Sequence, residues 1–108
     1  MAKKKLLFVC TGNIDRSPTA EALFSKNPLY EARSAGTWRH AYRRVSRELV
    51  EWADVIFVME DHHKESIVDS FPEAEDKIIV LDIPDIYPRH HAELVALLKE
   101  KLSKYLEL

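Results

Sequence analysis

Lys5-Leu6-Leu7-Phe8-Val9-Cys10-Thr11-Gly12-Asn13-Ile14-Asp15-Arg16-Ser17-Pro18-Thr19-Ala20 is the stretch around which the rest of the chain is read. Leu6 to Val9 is a short apolar run, and it ends in the one cysteine of the chain, Cys10. Thr11-Gly12-Asn13 has the composition of a turn. Ser17-Pro18 predicts the opening of a helix, because serine is a good N-cap and proline is favoured at the first helical position. Cys10 is therefore expected where a strand stops, and Arg16 where a helix starts. The backbone between them must turn tightly, with its N–H groups aimed inward. Such a nest, backed by a helix N-terminus, binds a dianion. The same field favours a thiolate over a thiol, and the planar fork of an arginine takes a phosphoryl group bidentately. The stretch reads as the phosphate loop of a cysteine-dependent phosphatase. A core cysteine that merely precedes an arginine would leave the Gly-Asn inside and the Ser-Pro after without a reason.

Composition limits what else the chain can be. With 108 residues, 46% of them hydrophobic and 31% charged, it has the make-up of one soluble globular domain over residues 1–108. A formal net charge of -2 gives no general reason to expect nucleic-acid binding. Lys3-Lys4-Lys5 reads as a solvated lead-in to the first strand, and the apolar run behind it is too short for a signal peptide or a membrane span. A single cysteine excludes an internal disulfide and fits a reducing cytoplasm. Gly12 and Gly36 are the only glycines, which excludes a dinucleotide fingerprint and a Walker loop. His62-His63 and His90-His91 are adjacent pairs, and neighbours on a helix point about 100° apart. With no HExxH or CxxC, no metal or other cofactor is expected, and the histidines are expected at the surface.

Beyond the first strand, over residues 4–9, strand and helix patterns alternate, as in a parallel sheet covered on both faces. The first helix is expected over 18–26, with Ala20, Leu23 and Phe24 on one face, stopped by Asn27-Pro28. Residues 30–34 read as a polar edge strand. A basic, aromatic loop follows over 38–45, and Ser46 is placed to cap a helix through Trp52. The unbroken apolar run 55–59 predicts a central parallel strand. A helix over 61–71 and a strand over 78–81 come next. A last helix starts near His90 or His91, with Leu94, Leu98, Leu102 and Tyr105 or Leu106 as its core stripe.

Cys10-Thr11-Gly12-Asn13-Ile14-Asp15-Arg16-Ser17-Pro18 resembles the signature of the low-molecular-weight protein tyrosine phosphatase family: a cysteine, five residues, an arginine, then serine or threonine. Ser34-Ala35-Gly36-Thr37 resembles the stretch after that family's second strand. Ala53 to Glu60, with His62 or His63 beyond, resembles its third strand and turn. The resemblance implies a three-layer α/β fold of the phosphotyrosine phosphatase I type, its four parallel strands in the order 2-1-3-4. It also implies a general acid in an Asp-Pro-aromatic motif. Asp85 falls in that register, with Pro84 before it and Tyr87 two after, although Ile86 stands where the family has proline. Asp82 is the second candidate, and both also suit a turn in a proline-bounded loop.

The chemistry implied is attack by the Cys10 thiolate, protonation of the leaving oxygen by Asp85, then hydrolysis of the cysteinyl-phosphate with Asp85 as base. Backbone amides of Thr11, Gly12, Asn13, Ile14, Asp15 and Arg16, with the Arg16 fork, are expected to hold the phosphoryl oxygens. The Ser17 hydroxyl is expected to serve the thiolate or the helix cap. Asn13 is expected to steady the loop, and Gly12 to supply a backbone angle that other residues avoid. Asp15 departs from the family, many of whose members carry a second cysteine there. The loop after Thr37 is shorter than usual, and it brings Trp38 and Tyr42 as candidate stacking partners for an aromatic substrate. The expected partner is a phosphorylated protein or a small phosphomonoester. Two other readings stand beside this one. Arsenate reduction on the same scaffold lacks the second cysteine of an internal relay, and a phosphate-binding module would not need the acid.

Overall fold

In the computed structural model, which describes residues 2–108, β1 (Lys4–Cys10) is the strand on which the other elements are laid. It pairs in parallel with β2 (Tyr30–Gly36) on one side and β3 (Val55–Val58) on the other, and β3 carries β4 (Ile78–Val80) in parallel. The order is β2-β1-β3-β4, as the resemblance implied. The helices α1 (Arg16–Leu23), α2 (Arg47–Trp52) and α3 (Asp61–Ser70) fill the crossovers, α4 (Ala92–Leu102) follows β4, and together they cover both faces.

Strand periodicity divides the core in two. Leu6, Phe8 and Cys10 face α1 and α4, where they meet Ala20, Phe24, Leu94, Leu98, Leu102 and Leu106. Leu7 and Val9 face α2 and α3, with Leu49, Val50, Ile56 and Ile67. Phe8 stacks between Phe24 and Phe57, with ring centroids 5.6 and 5.5 Å away. Of the two candidates for the end of the last stripe, Leu106 is buried and Tyr105 is half exposed. Ser46 caps α2 as expected, its hydroxyl accepting from the Leu49 N–H at 3.2 Å. No helix among the described residues is long and apolar enough to cross a membrane.

Three local expectations change. α1 starts at Arg16 rather than Pro18, and its N-cap is Asp15, not Ser17. The Ser17 hydroxyl is engaged elsewhere, as described below, and Pro18 still lies in the first turn, where its missing N–H costs nothing. A 3₁₀ helix over Pro72–Lys77 precedes β4. Its Lys77 Nζ donates to the carbonyls of Val50 and Ala53, at 2.5 and 2.8 Å, and so caps the end of α2. Lastly, no glycine has a positive φ; in the phosphate loop that conformation belongs to Asn13, at φ 56°.

Candidate active site

The parallel register sets the ends of β1 and β2 side by side, Cys10 opposite Gly36. The loop leaving Cys10 is then tied outward by its carbonyls. Those of Cys10, Thr11 and Gly12 accept from the N–H groups of Thr37 (3.0 Å), Trp38 (3.0 Å) and Tyr42 (3.0 Å). With the carbonyls turned out, the amides of Thr11, Gly12, Asn13, Ile14 and Asp15 have no acceptor among the described residues. Five unpaired donors at the start of a helix form an anion nest. This close approach requires Gly36, because a Cβ there would lie 2.4 Å from the Thr11 carbonyl oxygen and 2.7 Å from the Ala41 Cβ. At Gly12 a Cβ would meet only the Ile14 side chain, at 3.5 Å. The glycine that the loop requires is therefore outside it, and the angle expected of Gly12 is taken by Asn13.

Side chains lock the loop from below. Asn13 Nδ2 donates to Ser17 Oγ and to Ser34 Oγ, both at 2.9 Å, and Ser34 Oγ donates to Glu21 Oε1 at 2.6 Å. Ser17 Oγ is 3.0 Å from Cys10 Sγ and 3.3 Å from the Ala35 carbonyl oxygen. Because Asn13 donates to that oxygen, the one serine proton has two acceptors, the Ala35 carbonyl and the sulfur, and a thiolate is the stronger of them. Ser17 therefore serves the cysteine, and the N-cap residue of α1, Asp15, makes no side-chain capping bond.

Arg16 is only 2% exposed, and its guanidinium is fixed at one corner. Nη1 donates to Glu60 Oε1 and, at 2.8 Å, to the Ile83 carbonyl. Nη2 is 3.4 Å from Thr11 Oγ1. The Nε–Nη2 edge is left toward the cavity over Cys10, a space of about 210 Å³ lined by Thr11, Gly12, Ile14, Arg16 and Asp85, among others. Partial burial raises the Glu60 carboxyl. The Arg16 hydrogen bond and charge, with the charge of His62, outweigh this and hold it below its ordinary value.

Asp85 and Asp82 part company. Asp85 lines that cavity, with Oδ1 3.7 Å from Arg16 Nε, and its side chain is 62% exposed. Asp82 has φ 56° and lines a separate depression beside Lys101, whose Nζ donates to the Asp82 carbonyl at 3.2 Å. The far end of the loop bearing Asp85 is hung at two points, one on the phosphate loop and one on α1. Asp15 Oδ1 accepts from the Arg89 N–H, and Thr19 Oγ1 from the His90 N–H, each at 2.9 Å. Asp15 lies at the cavity edge with one oxygen engaged away from the nest.

His63 overturns the expectation of surface histidines: it is fully buried. Its Nδ1 accepts from the Glu60 N–H at 3.0 Å, which leaves the proton on Nε2 to donate to Thr11 Oγ1 at 2.9 Å. Burial, with the charges of His62 and Arg16 against that of Glu60, pushes its pKa down to about 3. The contact spans 52 residues of sequence. In sequence it had one signal, a histidine three positions after an acidic helix cap. Among the described residues no three His, Cys, Asp or Glu side chains are grouped as metal ligands.

A strand-terminal cysteine under an amide nest, with a buried arginine and a carboxylate at the rim, defines a cysteine-dependent phosphatase. The sequence profile described as low molecular weight phosphotyrosine protein phosphatase matches residues 5–52. A protein-arginine-phosphatase of Geobacillus stearothermophilus is 34% identical, over 71% of this chain and 68% of that one. The low molecular weight protein-tyrosine-phosphatase Wzb of Escherichia coli K12 is 30% identical, over 84% of this chain and 83% of its own length. The solved structure of Vibrio vulnificus Wzb in complex with benzylphosphonate superposes with a TM-score of 0.78. It is 27% identical and covers 96% of this chain and 97% of its own. The chain belongs to the low molecular weight protein tyrosine phosphatase family.

Proposed function

We propose that this phosphatase hydrolyses phosphotyrosine in proteins through a cysteinyl-phosphate intermediate. The observation that carries the reading is the joint placement of Cys10, the unpaired loop amides, the Arg16 edge and Asp85 around one cavity. In the first step the Cys10 thiolate attacks phosphorus. The S–P bond forms as the P–O bond to the tyrosyl oxygen breaks, and Asp85 gives that oxygen its proton. In the second step water attacks phosphorus and passes a proton to Asp85 as the S–P bond breaks. The Ser17 hydroxyl, 3.0 Å from the sulfur, stabilises the departing thiolate. The amides of residues 11–15 and the Nε–Nη2 edge of Arg16 hold the equatorial oxygens, where the transition state spreads its charge.

For tyrosine over other phosphoesters, the support is the rim. Ile14 is 54% exposed beside the cavity, and the wider groove adjoining it is lined by Tyr42, 85% exposed, so an aryl ring meets apolar surface on leaving the nest. A relative bears the name of an arginine phosphatase, which makes phosphoarginine the substrate to test against. Purified protein should turn over p-nitrophenyl phosphate, and Cys10→Ser, folded, should not. Activity retained in that variant would overturn the covalent mechanism. A higher kcat/KM for a phosphoarginyl peptide than for its phosphotyrosyl counterpart would overturn the substrate class and leave the mechanism standing.

A further inference from the structure

Next to the cavity over Cys10 is a wider groove of about 440 Å³, and Ile14 lines both. Tyr42, Arg43 and Arg89 form part of its wall. We propose that this groove binds acidic residues flanking the phosphorylated side chain of a protein substrate. The proposal rests on the phosphatase reading above and deepens it.

The charge is local, not general. The whole chain is net negative, yet between Glu31 and Glu48 it carries Arg33, Arg39, Arg43, Arg44 and Arg47 and no carboxylate. Two of these are occupied. Arg33 pairs with Glu31 at 3.5 Å and lies over the Trp52 ring at 4.3 Å, and Arg47 pairs with Glu73 at 3.3 Å. Arg43, and Arg89 from the loop bearing Asp85, have no carboxylate within 4.0 Å among the described residues. Both line the groove. One carboxylate shares the wall, Glu21, and it is held by the Ser34 hydroxyl. Two free guanidiniums against one engaged carboxylate leave the groove positive.

The arginines are also presented rigidly. The Arg43 carbonyl accepts from the Gly36 N–H at 2.7 Å, the Val45 N–H returns to the Gly36 carbonyl at 2.9 Å, and the Tyr42 N–H is bound to the phosphate loop. Arg89 is fixed at its own N–H by Asp15. A peptide lying here meets a backbone already ordered, so little entropy is lost there on binding. The phosphoryl group in the nest then sets the register, and the groove reads the charge beside it.

The test uses three phosphotyrosyl peptides of equal length, flanked by Asp and Glu, by Gln, or by Lys. Affinity is measured by fluorescence anisotropy on the Cys10→Ser protein, and kcat/KM on the wild type. At low ionic strength the acidic peptide should bind roughly five- to tenfold better than the Gln peptide, as for one or two exposed charge pairs, with the Lys peptide weakest. High salt should compress the ranking. Arg43→Glu should reverse the order of acidic and Lys peptides and leave p-nitrophenyl phosphate turnover unchanged. Equal affinities, a ranking untouched by Arg43→Glu, or an equal loss on p-nitrophenyl phosphate would each overturn the groove. If the wild type turns over nothing, the phosphatase reading fails, and the binding order on Cys10→Ser still decides the groove; binding of none of the peptides overturns both.

Discussion

The phosphate loop and the loop that carries Asp85 are built to different standards. Residues 10–17 are held by outward carbonyls, by Asn13 and Ser17 beneath, and by a buried arginine that reaches Glu60 and the Ile83 carbonyl far along the chain. The segment after β4 is anchored at its start, where the Ile83 N–H donates to the Met59 carbonyl at 2.8 Å and Arg16 takes the Ile83 carbonyl. Its far end hangs from Asp15 and Thr19, and between these anchors Asp85 and Ile86 stand in solvent. In-line attack tolerates little misplacement, so its parts are fixed by redundant bonds. The role proposed for Asp85, giving a proton to leaving groups of different shape, is one that a span pinned only at its ends can fill.

Arg16→Lys should break the rigid half. It keeps the charge and loses the fork, so the rate should fall about a hundredfold or more, as for a lost transition-state donor. A near-normal rate would show that the Nε–Nη2 edge does not meet the phosphoryl group. Asp85→Asn tests the other half. It should slow esters with poor leaving groups by roughly ten- to a thousandfold and those with acidic phenols much less. Asp82→Asn should slow both kinds about equally, if at all. The same leaving-group dependence in Asp82→Asn and not in Asp85→Asn would reverse the assignment.

Asp15→Ala should sharpen the comparison, because it cuts one of the bonds from which the far end of that loop hangs. The loss of one hydrogen bond of about 1 kcal/mol predicts roughly a fivefold fall in kcat on poor leaving groups, with KM for phosphate esters little changed. In an Asp85→Asn background the effect should vanish, since there is no acid left to position. An undiminished effect there would mean that Asp15 acts on the nest itself.

His63 bears on stability and not on rate. Its pKa is about 3 in the folded protein, against an ordinary 6.5. The unfolded chain therefore takes up a proton that the folded one refuses. This contribution to stability is fully present above pH 6.5 and is lost as pH falls toward 3, by at most about 1.4 kcal/mol per pH unit. Urea midpoints of His63→Gln should start lower at pH 7 and fall less between pH 7 and 5 than those of the wild type. Parallel curves would show that the buried imidazole does not govern that range.

The site was legible in sequence where its parts are contiguous. Cys10, Arg16 and the helix after them declare themselves within nine residues, and the alternating apolar runs give the sheet. What was misread depends on partners far along the chain. Ser17 suited either the thiolate or the helix cap, and only the folded loop, which sets it between Cys10 and Asn13, separates the two. Gly12 looked like the necessary glycine, whereas Gly36 is the one facing another backbone. His63 looked like one of a surface pair until Thr11, 52 residues away, took its proton. Asp85 was placed by register with a family motif, and the residues that suspend its loop carried no local signal at all.

The three amides that clasp the phosphate loop, those of Thr37, Trp38 and Tyr42, also form a clock. Each can trade its hydrogen for deuterium only when the loop lets go. An anion held by the loop's own amides favours the closed form and must slow all three by the same factor, though none of them touches it. Ligand occupancy can thus be timed from the far side of the loop, at backbone positions that take no part in the reaction.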